Sequence, residues 1–291
     1  MELIATLNSL DKKEEILSLV DGIVVYSSDF SSFNNLGFKK DEIINLILET
    51  SKKVIVDVSF MLENESIEPL TDFLKQLKPY NCEFLCSDLG VIEILKELDM
   101  NDRAIYDPNT LITNSYDLGF YLRFAASAKI SEEITLKDQV KFVNTYPNKI
   151  TKSLFGYHLM FHSKRYLISM YHKFLGKELS LDNMDSFLIE QTRNEKYHIM
   201  ENSKGTALFR PYVIDNSKEL LSFTNLKYGI VDSIFINQDI YLKILNVYRL
   251  ILDGKITEEQ GSILIKETGL EIQDGFKYED TIYQKELIKC Q

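Results

Sequence analysis

Short apolar runs alternate with segments of helical spacing along most of the chain. The run 22–26 is rich in β-branched residues, which favours a strand, and isoleucine and leucine then recur at helical spacing from Lys40 onwards. The same pair of patterns repeats down the chain. The predicted strands are 3–7, 22–26, 54–58, 83–86, 104–106, about 126–130, 150–155 and 229–235.

Helical segments follow these strands. They are predicted at 11–19, from 40 onwards, and at 69–77, 90–98, 115–124, 136–144 and 241–252. Pro69 suits the first turn of the third helix, and Thr135 is a plausible cap for the sixth. Eight strand–helix steps favour an α/β fold of the (β/α)8, TIM-barrel-like type over an open doubly wound sheet. We therefore expect residues 1–291 to form a single barrel domain.

One step of the pattern is much longer than the others. Roughly seventy residues separate the seventh and eighth strands, which exceeds a usual loop and helix. Apolar runs at 187–191, 197–200 and 206–209, with a turn signal at 202–205, predict a small β-ribbon. We expect this insertion at about 176–215, on the carboxyl-end face of the barrel, and a helical C-terminal extension at about 255–291.

The stretch 149–176 gathers polar groups at the end of the seventh predicted strand. Its apolar run ends at Gly156, and it holds three of the four histidines of the protein. A Ser163-Lys164-Arg165 turn then leads into an amphipathic segment, which predicts a helix. We expect chemistry or binding here first.

Composition and charge limit the function classes. With 45% hydrophobic and 26% charged residues the chain is globular, and no apolar run reaches the roughly 18 residues that span a bilayer. The acidic start lacks the features of a signal peptide, so we expect a cytoplasmic protein without membrane contact. The formal charge of -11 disfavours unaided nucleic-acid binding, although a local basic patch or a basic partner could override it.

The three cysteines form an odd and sparse set. Cys82, Cys86 and Cys290 make no disulfide framework, which fits a reducing compartment. Cys86 falls on the fourth predicted strand and Cys82 lies just before it. Both are expected to be small apolar fillers rather than redox or metal groups.

Two histidines and a serine are candidates for chemistry. His158 and His162 are four residues apart, a spacing that suits zinc, but no glutamate accompanies the first in the manner of a metalloprotease. Two polar residues that line a loop or are hydrogen-bonded in place are the favoured interpretation, so no metal site is predicted. Ser163 lies beside His162, but no nucleophile elbow surrounds it, and serine catalysis is not favoured.

Three cations could form an anion site. Lys164, Arg165 and Arg193 are expected at the mouth of the predicted barrel, where they could hold a carboxylate or a phosphate. Internal ion pairs are the alternative. The acidic candidates for such pairs are Glu190, Glu195 and Asp215.

Aspartates recur near the carboxyl ends of the predicted strands. In a barrel such residues face the site, but they also cap the helices that follow. The sequence leaves both interpretations open. The residues are Asp29, Asp57, Asp88, Asp107 and Asp232.

The second half of the chain resembles a known family. The run LFGYHLMFHSKRYLISMYHKFLG, followed by QTRNEKYHIMENSKGTALFRP and YGIVDSIFIN, resembles the collagenase-like peptidases, family U32, and especially their short firmicute-type members. The matching positions are Gly156, Ser163, Lys164, Arg165, Tyr171, Arg193, Tyr197, Gly205, Asp215, Gly229, Val231, Asp232, Ser233 and Ile236.

Several positions depart from the family pattern. Phe155 stands where the family has a histidine, Leu159 where it has its first motif cysteine, and the later paired-cysteine segment is absent. The Ser-Arg-Glu-Leu signature after the sixth strand appears as Ser131-Glu132-Glu133-Ile134. Members with the full cysteine set resemble iron–sulfur proteins that hydroxylate tRNA, ribosomal RNA or quinone precursors. Because a cluster needs several thiolates, we expect no cofactor here, and a pseudoenzyme that keeps the frame of a lost metal site.

The resemblance implies a supporting role. We expect a partner subunit in tRNA wobble-uridine hydroxylation, which acts beside a larger paralogue that retains the cysteines and contacts tRNA only indirectly. A peptidase, as the family name implies, is one alternative. A barrel that binds a small carboxylate through Lys164, Arg165 and Arg193 without catalysis is another.

Overall fold

Eight parallel strands of the described chain close into a barrel. The computed structural model describes residues 1–33, 37–177, 186–192 and 194–279. The strands are β1 (Glu2–Thr6), β2 (Gly22–Tyr26), β3 (Lys53–Asp57), β4 (Glu83–Cys86), β5 (Ala104–Tyr106), β6 (Ser127–Lys129), β7 (Ile150–Ser163), β8 (Ser186–Ile189), β9 (Lys196–Asn202), β10 (Gly205–Asp215), β11 (Tyr228–Val231) and β12 (Ile272–Gln273). The ring runs from β1 through β7 to β11, and β11 pairs with β1 to close it. The predicted TIM-barrel-like fold, with a β-ribbon insertion before the last barrel strand, is confirmed.

Helices alternate with the barrel strands. They are α1 (Lys13–Leu19), α2 (Lys40–Glu49), α3 (Asn64–Leu77), α4 (Leu89–Glu97), α5 (Ser115–Tyr121), α6 (Leu136–Thr145), α7 (Leu167–Phe174), α8 (Gln238–Leu252) and α9 (Glu258–Lys266), with 3-10 turns at Asn101–Arg103 and Ser217–Phe223. None in the described ranges is both long and apolar enough to cross a bilayer.

The barrel strands are apolar on both faces, which explains their continuous hydrophobic runs. Along β1, Ile4 points into the barrel, whereas Leu3 and Ala5 belong to the layer between strands and helices. Both layers are buried. The interior layer consists of Ile4, Val24, Ile55, Leu85, Ile105, Tyr228 and Ile230.

Helix ends follow local capping chemistry. Thr135 Oγ1 accepts the backbone N–H of Asp138, so the predicted cap of α6 is confirmed. The prediction that Pro69 begins its helix is wrong, because α3 starts at Asn64 and Pro69 lies inside it. The buried residues of α3 begin only at Leu70, so the apolar pattern marks its second half alone.

Strand β7 is longer than predicted. It does not end at Gly156 but continues to Ser163, because its first half pairs with β6 and β11 and its second half pairs antiparallel with β10. Gly156 has φ +142°, and a Cβ there would lie 2.8 Å from Cβ of Asp232. Glycine therefore lets one strand leave the barrel and enter the ribbon β7–β10–β9–β8.

The C-terminal part packs on the outside of the barrel. Helix α9 contacts α8 and the 3-10 turn Ser217–Phe223, and β12 adds to β10. Residues 280–291 of the expected extension, Cys290 among them, lie outside the described residues. The division of the chain as one domain stays a prediction.

We expect Gly156→Ala to lower the free energy of unfolding by about 3 kcal/mol, because it adds a contact with Asp232 to the strain of a positive φ. Gly254→Ala is the matched control, since Gly254 also has positive φ but has open space around it. Its loss should be about 1 kcal/mol. Urea denaturation measures both, and equal losses would contradict this account of the β7 junction.

Candidate functional site

A cavity of about 320 Å³ opens at the carboxyl ends of the barrel strands. The ribbon lies over the cavity and contacts the loops that follow two barrel strands. Asn202 donates a 3.0 Å hydrogen bond to the carbonyl of Ser32, after β2, and the Lys164 ammonium lies 2.6 Å from Glu63, after β3. Phe209 of β10 lines the cavity from the ribbon side. The cavity therefore occupies the place where barrel enzymes hold their sites.

Lys129, the last residue of β6, lies among carboxylates from other strands. Its Nζ is 2.7 Å from Oδ2 of Asp107. Burial lowers the pKa of Lys129, but Asp107, Glu132 and Asp232 outweigh burial and hold that pKa above its usual value. The ammonium is therefore a fixed positive charge on the cavity wall.

Asp57, at the end of β3, has an unusual proton affinity. Burial raises the pKa of its carboxyl to about 7. The N–H and O–H of Ser59 donate hydrogen bonds to Oδ1 and lower this pKa, but burial outweighs them. Burial also raises the pKa of Asp232, although the backbone N–H of Ile234 and the charge of Lys129 oppose it. A carboxyl that titrates near neutral pH inside a cavity is suited to accept and donate protons.

Two further ion pairs involve Glu132 and Glu133 of the cavity wall. Lys152, fully buried in β7, pairs with Glu132, and NH2 of Arg210 lies 2.7 Å from Oε1 of Glu133. Burial lowers the pKa of Lys152, which Glu132 opposes. The segment that departs from the family signature thus supplies two carboxylates that accept these cations.

His158 lies in the cavity with both ring nitrogens buried. Neither nitrogen has a hydrogen-bond partner in the described part of the chain. Burial lowers the pKa of His158 well below its usual value, and Lys129, Lys152 and Arg210 lower it further. The imidazole is therefore neutral and offers one donor and one acceptor.

His162 lines the same cavity four residues further along β7. Its ring meets Phe33 edge-on, with centroids 4.5 Å apart, and burial followed by the charge of Lys164 lowers its pKa. Over the described ranges no three or more histidine, cysteine, aspartate or glutamate side chains are grouped to hold a metal ion.

The Ser163-Lys164-Arg165 turn lies outside the cavity lining. Oγ of Ser163 accepts the backbone N–H of Arg165, and Lys164 pairs with Glu63. Arg193 lies outside the described residues. That Lys164, Arg165 and Arg193 hold a carboxylate or a phosphate stays a prediction.

The strand-end aspartates divide between the two interpretations. Asp57, Asp107 and Asp232 line the cavity, whereas Asp88 both lines it and caps α4 through the N–H of Gly90. Asp29 does not line the cavity in the described structure. Sequence reasoning missed the ion-paired residues of the lining, which are Lys129, Glu132, Glu133 and Arg210, and it missed Lys152, which pairs with Glu132 but is not part of the lining.

The described cysteines do not fit an iron–sulfur cluster. Cys82 and Cys86 are free and buried, as expected for apolar fillers. Burial raises the pKa of Cys82 to about 12 and raises that of Cys86 as well, so both stay protonated. Leu159, which replaces the family's first motif cysteine, lines the cavity with a side chain that cannot bind iron.

Comparison with known proteins gives two findings. A sequence model of peptidase family U32 matches residues 28–279. The tRNA hydroxylation protein P2 of Bacillus subtilis (strain 168) is 23% identical over 251 residues, which cover 79% of this chain and 81% of that protein.

We expect Asp57→Asn to change how stability depends on pH. Below about pH 4 the carboxyl is protonated in both states. As pH rises from there to about 7, only the unfolded chain releases the proton, so this group lowers the free energy of unfolding, and the loss is complete above pH 7. The free energy of unfolding of Asp57→Asn, minus that of wild type, should therefore be more positive at pH 8 than at pH 5.

Urea denaturation at both pH values measures this difference. Asp72→Asn, which changes an exposed aspartate of α3, is the control and should show no such gain. A pH-independent effect of Asp57→Asn would contradict the raised pKa.

Proposed function

Because the chain belongs to peptidase family U32, we propose that it acts in the hydroxylation of tRNA at the wobble uridine, as a supporting or partner subunit. The alignment of a tRNA hydroxylation protein over 79% of the chain carries this proposal. The proposed site of action is the cytoplasm, where tRNA is modified.

The chemistry of the cavity supports a partner role. No cysteine is among the cavity residues that the structure describes, and the two described thiols, Cys82 and Cys86, are buried elsewhere and protonated, so a larger paralogue with the full cysteine set supplies the cluster in this proposal. The charge of -11 disfavours direct contact with the tRNA backbone, which favours indirect contact through that paralogue.

The small-carboxylate alternative has less support from the cavity. Its described lining contains six carboxylates, and both of its cations, Lys129 and Arg210, are already paired with acidic residues. An added carboxylate would have to displace one of these partners. The six are Asp57, Asp88, Asp107, Glu132, Glu133 and Asp232.

The peptidase alternative lacks a nucleophile. Among the cavity residues that the structure describes, no serine or cysteine is hydrogen-bonded to a histidine. Oγ of Ser59 donates to Asp57, and Oγ of Ser32 donates to a backbone carbonyl. Ser32 therefore has no base, and Ser59 meets the carboxyl of Asp57 without the histidine that accepts the proton in a Ser-His-Asp triad.

We expect deletion of the gene to abolish 5-hydroxyuridine-type nucleosides in tRNA, as measured by mass spectrometry of digested tRNA. Re-expression of the wild-type chain should restore them. Unchanged nucleoside levels after deletion would refute the proposed function.

We expect no proteolysis from the purified protein, because no serine or cysteine among the described cavity residues is hydrogen-bonded to a histidine. Denatured collagen and casein, incubated with and without a chelator, are the test substrates. Fragments in either condition, absent from a heat-denatured control, would favour the peptidase alternative.

A further inference from the structure

Helix α7 carries its apolar stripe on the side that faces solvent. Leu167, Met170, Tyr171 and Phe174 follow the i, i+3, i+4, i+7 spacing that normally faces a core. Their exposed fractions are 37%, 60%, 60% and 85%. Tyr166 and Leu175 extend the stripe at its ends and are also exposed. These six residues are called the α7 face.

Polar contacts, rather than apolar burial, hold the helix in this orientation. The carboxylate of Glu201, from β9, accepts the N–H groups of Ile168 at 2.8 Å and Ser169 at 3.2 Å. Oγ1 of Thr206 accepts the N–H of Leu167 at 3.0 Å. No described residue of α7 is buried. The ribbon thus fixes the helix and leaves its apolar side available.

The segment that holds the α7 face is basic, whereas the chain as a whole is acidic. Residues 163–177 contain Lys164, Arg165, Lys173 and Lys177 and no aspartate or glutamate, in a chain of formal charge -11. Arg165, Lys173 and Lys177 are exposed beside the face, and Lys164 pairs with Glu63. An apolar centre with a basic rim is complementary to a surface with an acidic rim.

Charge and composition select the class of partner. A two-fold contact between two copies of the face would bring Arg165, Lys173 and Lys177 against the same residues, which repel. Single-stranded RNA would use the aromatic rings, but it gains little from Leu167 and Met170 and is repelled by the net charge. Tyrosine, phenylalanine, methionine and arginine are enriched in protein interfaces, and four anchors at this spacing fit a groove.

We propose that α7 docks into an apolar groove with an acidic rim on a partner protein. If the proposed function holds, that partner is the larger, cysteine-complete paralogue. The site is the α7 face, with Tyr171 and Phe174 as its central anchors and Arg165 at its rim.

The test co-expresses the full chain with that paralogue and measures the complex by light scattering and its Kd by calorimetry. Tyr171→Glu and Phe174→Glu should each weaken binding at least 10-fold, since they put a charge into an apolar groove. Tyr116→Glu is the matched control, because Tyr116 is 89% exposed on α5, outside the face. It should leave Kd within about 2-fold. Arg165→Glu should also weaken binding.

Several outcomes would overturn the inference. They are an unchanged Kd for Tyr171→Glu and Phe174→Glu, or no complex with the wild-type chain. Self-association or tRNA binding that these variants remove would instead assign the face to a second copy or to RNA. All variants should keep the wild-type Tm, because the changed side chains are exposed. The tRNA nucleosides of the deletion strain test the proposed function separately, so either idea can fail alone.

Discussion

The junction at Gly156 is the constraint on which the rest of the structure depends. One strand hydrogen-bonds with β6 and β11 in the barrel and then, beyond this glycine, with β10 in the ribbon. The close approach of Asp232 leaves no room for a side chain there. Because the ribbon leaves the barrel at this point, it lies over the carboxyl ends of the strands and forms a cavity from an otherwise open mouth.

The fold was largely predictable, and the site was predictable only in part. Asp57, Asp107 and Asp232 were found as strand-end residues, because the carboxyl ends of parallel strands meet at one edge. The Ser163-Lys164-Arg165 turn was expected at the mouth of the barrel, close to Gly156, but β7 continues seven residues past Gly156 before the turn begins. At about 3.3 Å per residue this moves the turn by roughly 20 Å. The periodicity of a strand cannot show where it changes from one sheet partner to another.

The buried ion pair of Lys152 and Glu132 illustrates a second limit of sequence reasoning. Lys152 lies within an apolar strand and Glu132 in a loop twenty positions earlier, and only the closed barrel brings them together. Once buried, each charge requires the other, since an unpaired charge in that environment is costly. His158 shows the converse, because burial, and then the charges of Lys129, Lys152 and Arg210, lower the pKa of its imidazole and keep it neutral. Such proton states depend on spatial neighbours, which a residue's place in the sequence does not reveal.

Closure of the ring through β1 and β11 has a consequence for biosynthesis. Glu2 is paired with Tyr228, so β1 completes its hydrogen bonds only with β11, which is synthesised much later. The edge of β1 that pairs with β11 therefore stays unpaired until β11 has emerged. Contacts between such distant positions slow folding, and an apolar strand edge exposed for that time invites aggregation. Shielding of that strand edge during translation would therefore protect the nascent chain.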